Sequence, residues 1–254
     1  MTTRQGREHP ASLAALVAAG DVRAVSRLIT LLENREPVGI AALKQLRPPR
    51  QPATVIGITG YPGAGKSTLI DQLVTVYRRQ GSKVGIVAVD TSSPLTGGAI
   101  LGDRIRMQDH SSDAGVFIRS MATRGQQGGL ARATSEAVRV LEAAGFNLIL
   151  VETVGVGQAE VDIARVAQTV VVVVVPGLGD EVQAMKAGLL EVAHIAAVNK
   201  ADHPGAEDTI RDLQECVPRV IRTVAVKGEG IEELVEAIAE HRRSLARKEA
   251  GRPG

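Results

Sequence analysis

The sequence predicts an α/β fold, a mostly parallel sheet flanked by helices with a short N-terminal helical segment before it. Three observations predict it. Short apolar runs alternate with longer stretches of helical periodicity through most of the chain. Val170 to Val175 is an unbroken valine run, as a strand buried on both faces requires. A glycine-rich turn from Gly60 to Gly65 separates one apolar run from one helical stretch.

In order, the first ten residues are polar and predict no element. Between Ser12 and Leu46, Leu13, Leu16, Val17, Val22, Val25, Leu28, Ile29 and Leu32 recur at helical spacing, which predicts helices sharing an apolar stripe. Gly20-Asp21 reads as a break followed by an N-cap, and Glu36-Pro37 as a second boundary. The stripe predicts core within the chain, or a face that reaches a partner. The prolines at 48, 49 and 52 discourage both helix and central strand, so Arg47 to Pro52 reads as a linker.

Strands are predicted at Thr54–Thr59, Lys83–Val89, Asn147–Glu152, Thr169–Val175, His194–Asn199 and Val220–Val226. Helices are predicted at Lys66–Gln80, Gly129–Ala144, Asp180–Glu191, Ala206–Cys216 and Ile231–Lys248. The expected division is residues 1–50 as helical segment and linker, 51–246 as the main domain with its closing helix, and 247–254 as a disordered tail.

Composition narrows the function classes. A hydrophobic fraction of 44% with 2% aromatics and no Trp implies an aliphatic core that needs no disulfide or structural metal. The single cysteine, Cys216, has no intramolecular partner and reads as an ordinary buried or partly buried side chain. No basic segment followed by an apolar stretch opens the chain, which points to the cytoplasm. The apolar stretch Ile163–Val175 is broken by Arg165 and Gln168 and is too short for a membrane span. A net charge of +2, dispersed arginines and only two Phe and two Tyr argue against nucleic acid.

Gly60-Tyr61-Pro62-Gly63-Ala64-Gly65-Lys66-Ser67 fills the Walker A pattern between a predicted strand and a predicted helix, and identifies a P-loop NTPase. Glycines let successive backbone N–H groups face phosphate oxygens, and the helix N-terminus adds its positive end. Lys66 supplies a mobile charge to the β and γ phosphates, and Ser67, followed by Thr68, places a hydroxyl on Mg²⁺. Glu152 ends a strand beside the P-loop and is assigned the Walker B role, holding Mg²⁺ through water. Asp90 and Asp103 are further candidates for orienting Mg²⁺ or the attacking water, and spacing alone does not choose between them. The loop after Glu152 contains Gly155 and Gln158 and is placed to sense the γ phosphate.

Asn199-Lys200-Ala201-Asp202 follows a predicted strand. An aspartate there accepts both N1–H and the exocyclic amine of guanine, a donor pair that adenine lacks. Asn199 braces the loops and Lys200 lays its aliphatic stem along the base. Val224-Ala225-Val226 stands where GTPases often place Ser-Ala-Lys, which offers the Ala225 N–H to guanine O6. GTP or GDP with Mg²⁺ is therefore the expected ligand.

Together with Val89 to Pro94, Thr96 to Arg106, Glu152 to Gln158, Pro176-Gly177-Leu178-Gly179-Asp180-Glu181 and Lys186-Ala187-Gly188, these motifs make the chain resemble the MeaB/ArgK family of SIMIBI-class P-loop GTPases from about Gly20 to His241. The resemblance implies a GTPase chaperone of adenosylcobalamin-dependent methylmalonyl-CoA mutase, which gates cofactor loading and protects or reactivates the mutase. It implies a switch I region around Asp90 and Asp103, switch II from Glu152, and a third loop from Val175 to Lys186 that relays the partner's presence, with Asp180, Glu181 and Lys186 as switching contacts. Adenosylcobalamin is expected in the partner mutase, or in a cobalamin adenosyltransferase, and not in this chain. Bacterial members usually carry a longer C-terminal helical extension that builds a homodimer, whereas this sequence stops soon after the helix containing Ile238, so dimerisation stays open. Alternatives are the same role for a 2-hydroxyisobutyryl-CoA or isobutyryl-CoA mutase, a metallochaperone GTPase, and a transport-linked ATPase or kinase. Asp202 argues against the last, and the scattered histidines with one cysteine argue against metal delivery.

Overall fold

The computed structural model describes residues 9–90, 110, 112–122, 129–153, 163–177 and 188–250. Helices α1 (Pro10–Ala18), α2 (Val22–Glu33) and α3 (Pro37–Gln45) precede β1 (Thr54–Gly60) and α4 (Lys66–Arg79). Then come β2 (Val84–Asp90), β3 (Val116–Ala122), α5 (Gly129–Ala143), β4 (Leu148–Thr153), β5 (Thr169–Val174) and β6 (Ile195–Val198). The chain closes with α6 (Ala206–Gln214), β7 (Val220–Arg222) and α7 (Ile231–Ala250).

The strands form one sheet in the order β3-β2-β4-β1-β5-β6-β7, and every pairing between these strands is parallel. Parallel strands need crossovers, and the crossovers cover both faces. On one face Ile56, Ile58, Ile86, Leu150, Val171 and Val173 pack with Leu69, Leu73, Leu234 and Ile238 of α4 and α7. On the other, Val55, Val87, Ile149, Val151, Val170 and Val172 pack with Val25, Leu28, Leu32, Leu141 and Leu213. Val170 to Val174 are fully buried, which explains the unbroken valine run. Each such valine stabilises the fold by about 1.5–3 kcal/mol relative to exposure.

The N-terminal stripe is core within the chain: Leu13, Val17, Val25, Leu28, Ile29 and Leu32 are buried in the same cluster as the sheet. Two positions assigned to the stripe are not part of it, since Leu16 and Val22 are about half exposed. Leu31 is buried instead, and Val22 is only the first residue after the cap, where the Asp21 carboxylate accepts the Ala24 N–H at 2.7 Å. Arg119 of β3 pairs with Glu33 of α2 and donates to the Thr30 hydroxyl, while Arg35 holds Glu136 of α5 with both contacts at 2.9 Å. These bonds fasten α2 to the sheet edge.

Three boundaries differ from expectation. Strand β3 was not anticipated, because Arg119 and Ser120 break its apolar run as an edge strand permits. Strand β7 ends at Arg222 and not Val226, because the chain turns into a single 3₁₀ turn over Ala225–Lys227, bounded by Gly228 in the left-handed region. Helix α7 continues to Ala250, past residue 247, since its last turn carries Arg247 and Lys248, which suit a helix C-terminus. Of the predicted helix at Asp180–Glu191, residues 180–187 lie outside the described residues, and Leu190–Val192 form a 3₁₀ turn. Cys216 is exposed, not buried, at the end of α6. Among the described residues, no helix is long and apolar enough to cross a membrane.

Two histidines that the sequence leaves far apart meet at the N-terminal edge of β5 and β6, the edge away from the P-loop. The rings of His194 and His241 stand 4.2 Å apart. The Nδ1 atom of His194 accepts the Val170 N–H at 3.0 Å, and Nδ1 of His241 lies 2.9 Å from the Thr169 hydroxyl. Burial, then the nearby Lys248, holds the His194 pKa below its ordinary 6.5; for His241 burial comes first and His194 and Lys248 add to it. The folded chain thus takes up these protons less readily than the unfolded chain. Their contribution to stability is complete above pH 6.5 and declines as pH falls below it. Both rings are partly exposed, so the decline should be less than about 1 kcal/mol. Urea unfolding at pH 7.5 and 5.5 should show a smaller pH difference for His194→Gln than for the unmodified chain, and an equal difference would contradict the assignment.

Candidate nucleotide site

Because all strands are parallel, the C-terminal ends of β1, β2, β4 and β6 lie along one edge, and β1 sits where the order of connection reverses. The P-loop leaves β1 at this edge. Gly60 has φ of 135°, and a Cβ there would lie 2.1 Å from the Val173 carbonyl oxygen, so no side chain fits. Gly65 adopts φ of 90° at the N-cap of α4, and a Cβ on it would meet the Asn199 amide at 2.4 Å. Gly63, at φ of 79°, Ala64 and Thr68 complete the loop and the first turn of α4.

Lys66 is 7% exposed and its ammonium donates to the carbonyls of Gly60 at 2.8 Å and Tyr61 at 3.1 Å, so it reaches back across the loop. The Ser67 hydroxyl donates to Glu152 Oε1 at 3.1 Å, and both residues are buried. Two hard oxygen donors meeting where α4 begins and β4 ends are the donor set that Mg²⁺ selects. Asp90 ends β2, which is paired to β4 through Val89 and Thr153, and this puts its backbone at the same edge. Asp103, Gly155, Gln158, Asp180, Glu181 and Lys186 lie outside the described residues.

Strand β6 delivers Asn199, 3% exposed, to the far side of the loop. Its amide donates to the Ala64 carbonyl at 2.8 Å, and its Oδ1 accepts the Ala225 N–H at 3.0 Å and the Thr223 hydroxyl at 3.4 Å. One side chain therefore ties the P-loop to both loops at the far end. Lys200 has φ of 54°, in the left-handed region that few non-glycine residues occupy, and its ammonium reaches the Gly63 carbonyl at 3.0 Å. Its stem so spans the gap between the two motifs. The Ala225 N–H is held by Asn199, so the contact with guanine O6 expected of it would have to be shared with that bond. Val224 and Ala225 are buried, and Val226 is 78% exposed.

Asp202 projects from the same loop, half-exposed. Lys227 donates to its Oδ2 at 3.0 Å and holds its carboxyl below the usual carboxylate range. Neither Lys227 nor Thr223 is assigned a role by motif: each reaches the site from β7 and the turn after it, and only the parallel neighbour relation of β6 and β7 reveals this.

The chain matches the family described as "Methylmalonyl Co-A mutase-associated GTPase MeaB" over residues 25–252. It is 54% identical to a putative GTPase of Pyrococcus horikoshii across 89% of this chain and 75% of that protein. It is 36% identical to the GTPase ArgK of Escherichia coli across 89% of this chain and 74% of that one. A crystal structure described as a LAO/AO transport system kinase superposes with a TM-score of 0.73 at 27% identity, covering 97% of this chain and 79% of that one. A parallel sheet with a P-loop on its central strand, a second loop tied to it by Asn199, and relatives of this similarity place the chain in the MeaB/ArgK family of SIMIBI GTPases.

Proposed function

We propose that the chain hydrolyses GTP in a Mg²⁺-dependent reaction and uses the cycle as chaperone of an adenosylcobalamin-dependent acyl-CoA mutase, with methylmalonyl-CoA mutase as client. The observation that carries the nucleotide reading is Asn199, whose amide bonds set the phosphate loop and the guanine loop as two ends of one site. The family description carries the client.

In this reading the backbone N–H groups of Gly63 to Lys66 cradle the phosphates, and Lys66 exchanges its carbonyl partners for phosphate oxygens. Ser67 and Glu152 hold Mg²⁺, which when bound neutralises charge on the β and γ phosphates. Asp90 and Asp103 orient Mg²⁺-bound or attacking water, and Asp202 selects the base. Residues 51–246 act as the nucleotide unit, and α1 to α3 of the segment before it pack on one face of its sheet. The third loop, with Asp180, Glu181 and Lys186, answers the mutase. Adenosylcobalamin stays with the mutase or the adenosyltransferase that supplies it.

The test is GTP hydrolysis by the purified chain, alone and with each adenosylcobalamin-dependent acyl-CoA mutase. Turnover should be slow alone and rise at least about tenfold with methylmalonyl-CoA mutase, in line with GTPases completed by a partner. Stimulation by another mutase instead would reassign the client, and no turnover under any condition would remove the hydrolytic part of the proposal.

A further inference from the structure

The guanine-reading carboxylate already has a cation on it. Lys227 Nζ lies 3.0 Å from Asp202 Oδ2, and this bond is the foremost cause of the lowered Asp202 pKa. Guanine would approach the same carboxylate with N1–H and the exocyclic amine, which are donors as the ammonium is. A carboxylate has two oxygens, and a base that takes both must take the one on which Lys227 sits. The ammonium is built to leave. Its side chain is 53% exposed and sits on the 3₁₀ turn Ala225–Lys227, between Gly228 at φ of 71° and the buried Ala225. Glu229, two residues on, adds a smaller attraction to the same ammonium. The rest of the turn is held independently, by the Ala225 N–H on Asn199 and by the pairing of Val224 with Glu229, so Lys227 can swing without unseating the loop.

We propose that Lys227 is an exchange latch on the base site: its ammonium competes with the guanine edge for Asp202, weakening guanine nucleotides and speeding their release. The proposal rests on the reading that Asp202 recognises guanine. The latch occupies the carboxylate when the site is empty, and it yields on binding. An exposed ion pair is a weak competitor, so the effect is a modest adjustment of affinity and residence time, and it belongs to the low-salt range where such pairs hold.

The experiment is calorimetric titration of GDP, with ADP as control, into the unmodified chain, Lys227→Met and Lys227→Arg, at 50 mM and 500 mM salt. Stopped-flow release of a fluorescent GDP accompanies it. Methionine keeps the length and removes the charge. Lys227→Met should bind GDP about two- to fivefold more tightly at low salt and release it more slowly, and the difference should shrink at high salt. Lys227→Arg should stay near the unmodified value. Equal or weaker GDP binding by Lys227→Met, with preference over ADP intact, would overturn the latch alone and make Lys227 an ordinary brace. Absence of any preference for GDP over ADP in the unmodified chain would overturn the base-reading assignment and the latch with it. Thermal unfolding of the three proteins, expected to agree within about 2 °C, separates a binding effect from a loss of fold.

Discussion

Lys66→Ala is expected to lower GTP turnover by about 10²–10³-fold, the range for losing one preorganised charge from a transition state. The reason is positional. Lys66 is buried, leads directly out of a loop in which Gly60 and Gly65 admit no side chain, and reaches back across that loop to donate to the carbonyls of Gly60 and Tyr61. The loss should fall mainly on kcat, because charge on the transferring phosphoryl group is greater in the transition state than in bound GTP. Lys66→Arg should not restore activity, since a planar fork does not fit a space shaped for a point charge. Mant-GDP binding and thermal unfolding should be measured on the same proteins. Turnover within threefold of the unmodified chain would show that the lysine serves the loop and not the reaction.

How much of this was legible in the sequence depends on whether an element carries its own signature. Strand β1 and the loop after it were readable because an apolar run, three glycines and Lys66-Ser67 all require one conformation. Glu152 was readable because a carboxylate following four apolar residues marks the end of a buried strand, and with it the edge that the strand reaches. Strand β3 was not: its inward positions Phe117 and Met121 are separated by Arg119, and the pairing of that arginine with Glu33 is a long-range relation that no local pattern contains. The same limit hid the pairing of His194 with His241 and of Asp202 with Lys227. In each case two residues from separate elements are neighbours only through long-range packing, of α7 against β5 and β6 for the histidines and of β6 beside β7 for Asp202 and Lys227. The valine substituted for serine at 224 weakened the reading of the last loop. The structure supplies a replacement brace, with Thr223 donating to Asn199 Oδ1 beside the Ala225 N–H.

Asp202→Asn is expected to weaken GTP by about 10²-fold or more and to improve XTP, reversing the order of the two. An ionised carboxylate accepts both guanine donors, and hydrogen bonds to charged groups contribute about 1.5–3 kcal/mol each. Asparagine keeps one acceptor and turns an NH₂ donor toward guanine's own amine, so one bond is weakened and the other becomes repulsive. Xanthine carries a carbonyl in place of that amine and accepts from the same NH₂. The fold should tolerate the change, because Asp202 is partly exposed and the loop is held by Asn199, by Lys200 on Gly63 and by Arg222 on the Ala201 carbonyl at 2.7 Å. The substitution also removes the anion that Lys227 grips, which frees the site of that competitor for GTP and XTP alike. The decisive quantity is therefore the ratio of GTP to XTP affinity, in which that common gain cancels. Competition of GTP and XTP against a fluorescent GDP reads it directly. A ratio unchanged by Asp202→Asn would mean that the base is read elsewhere.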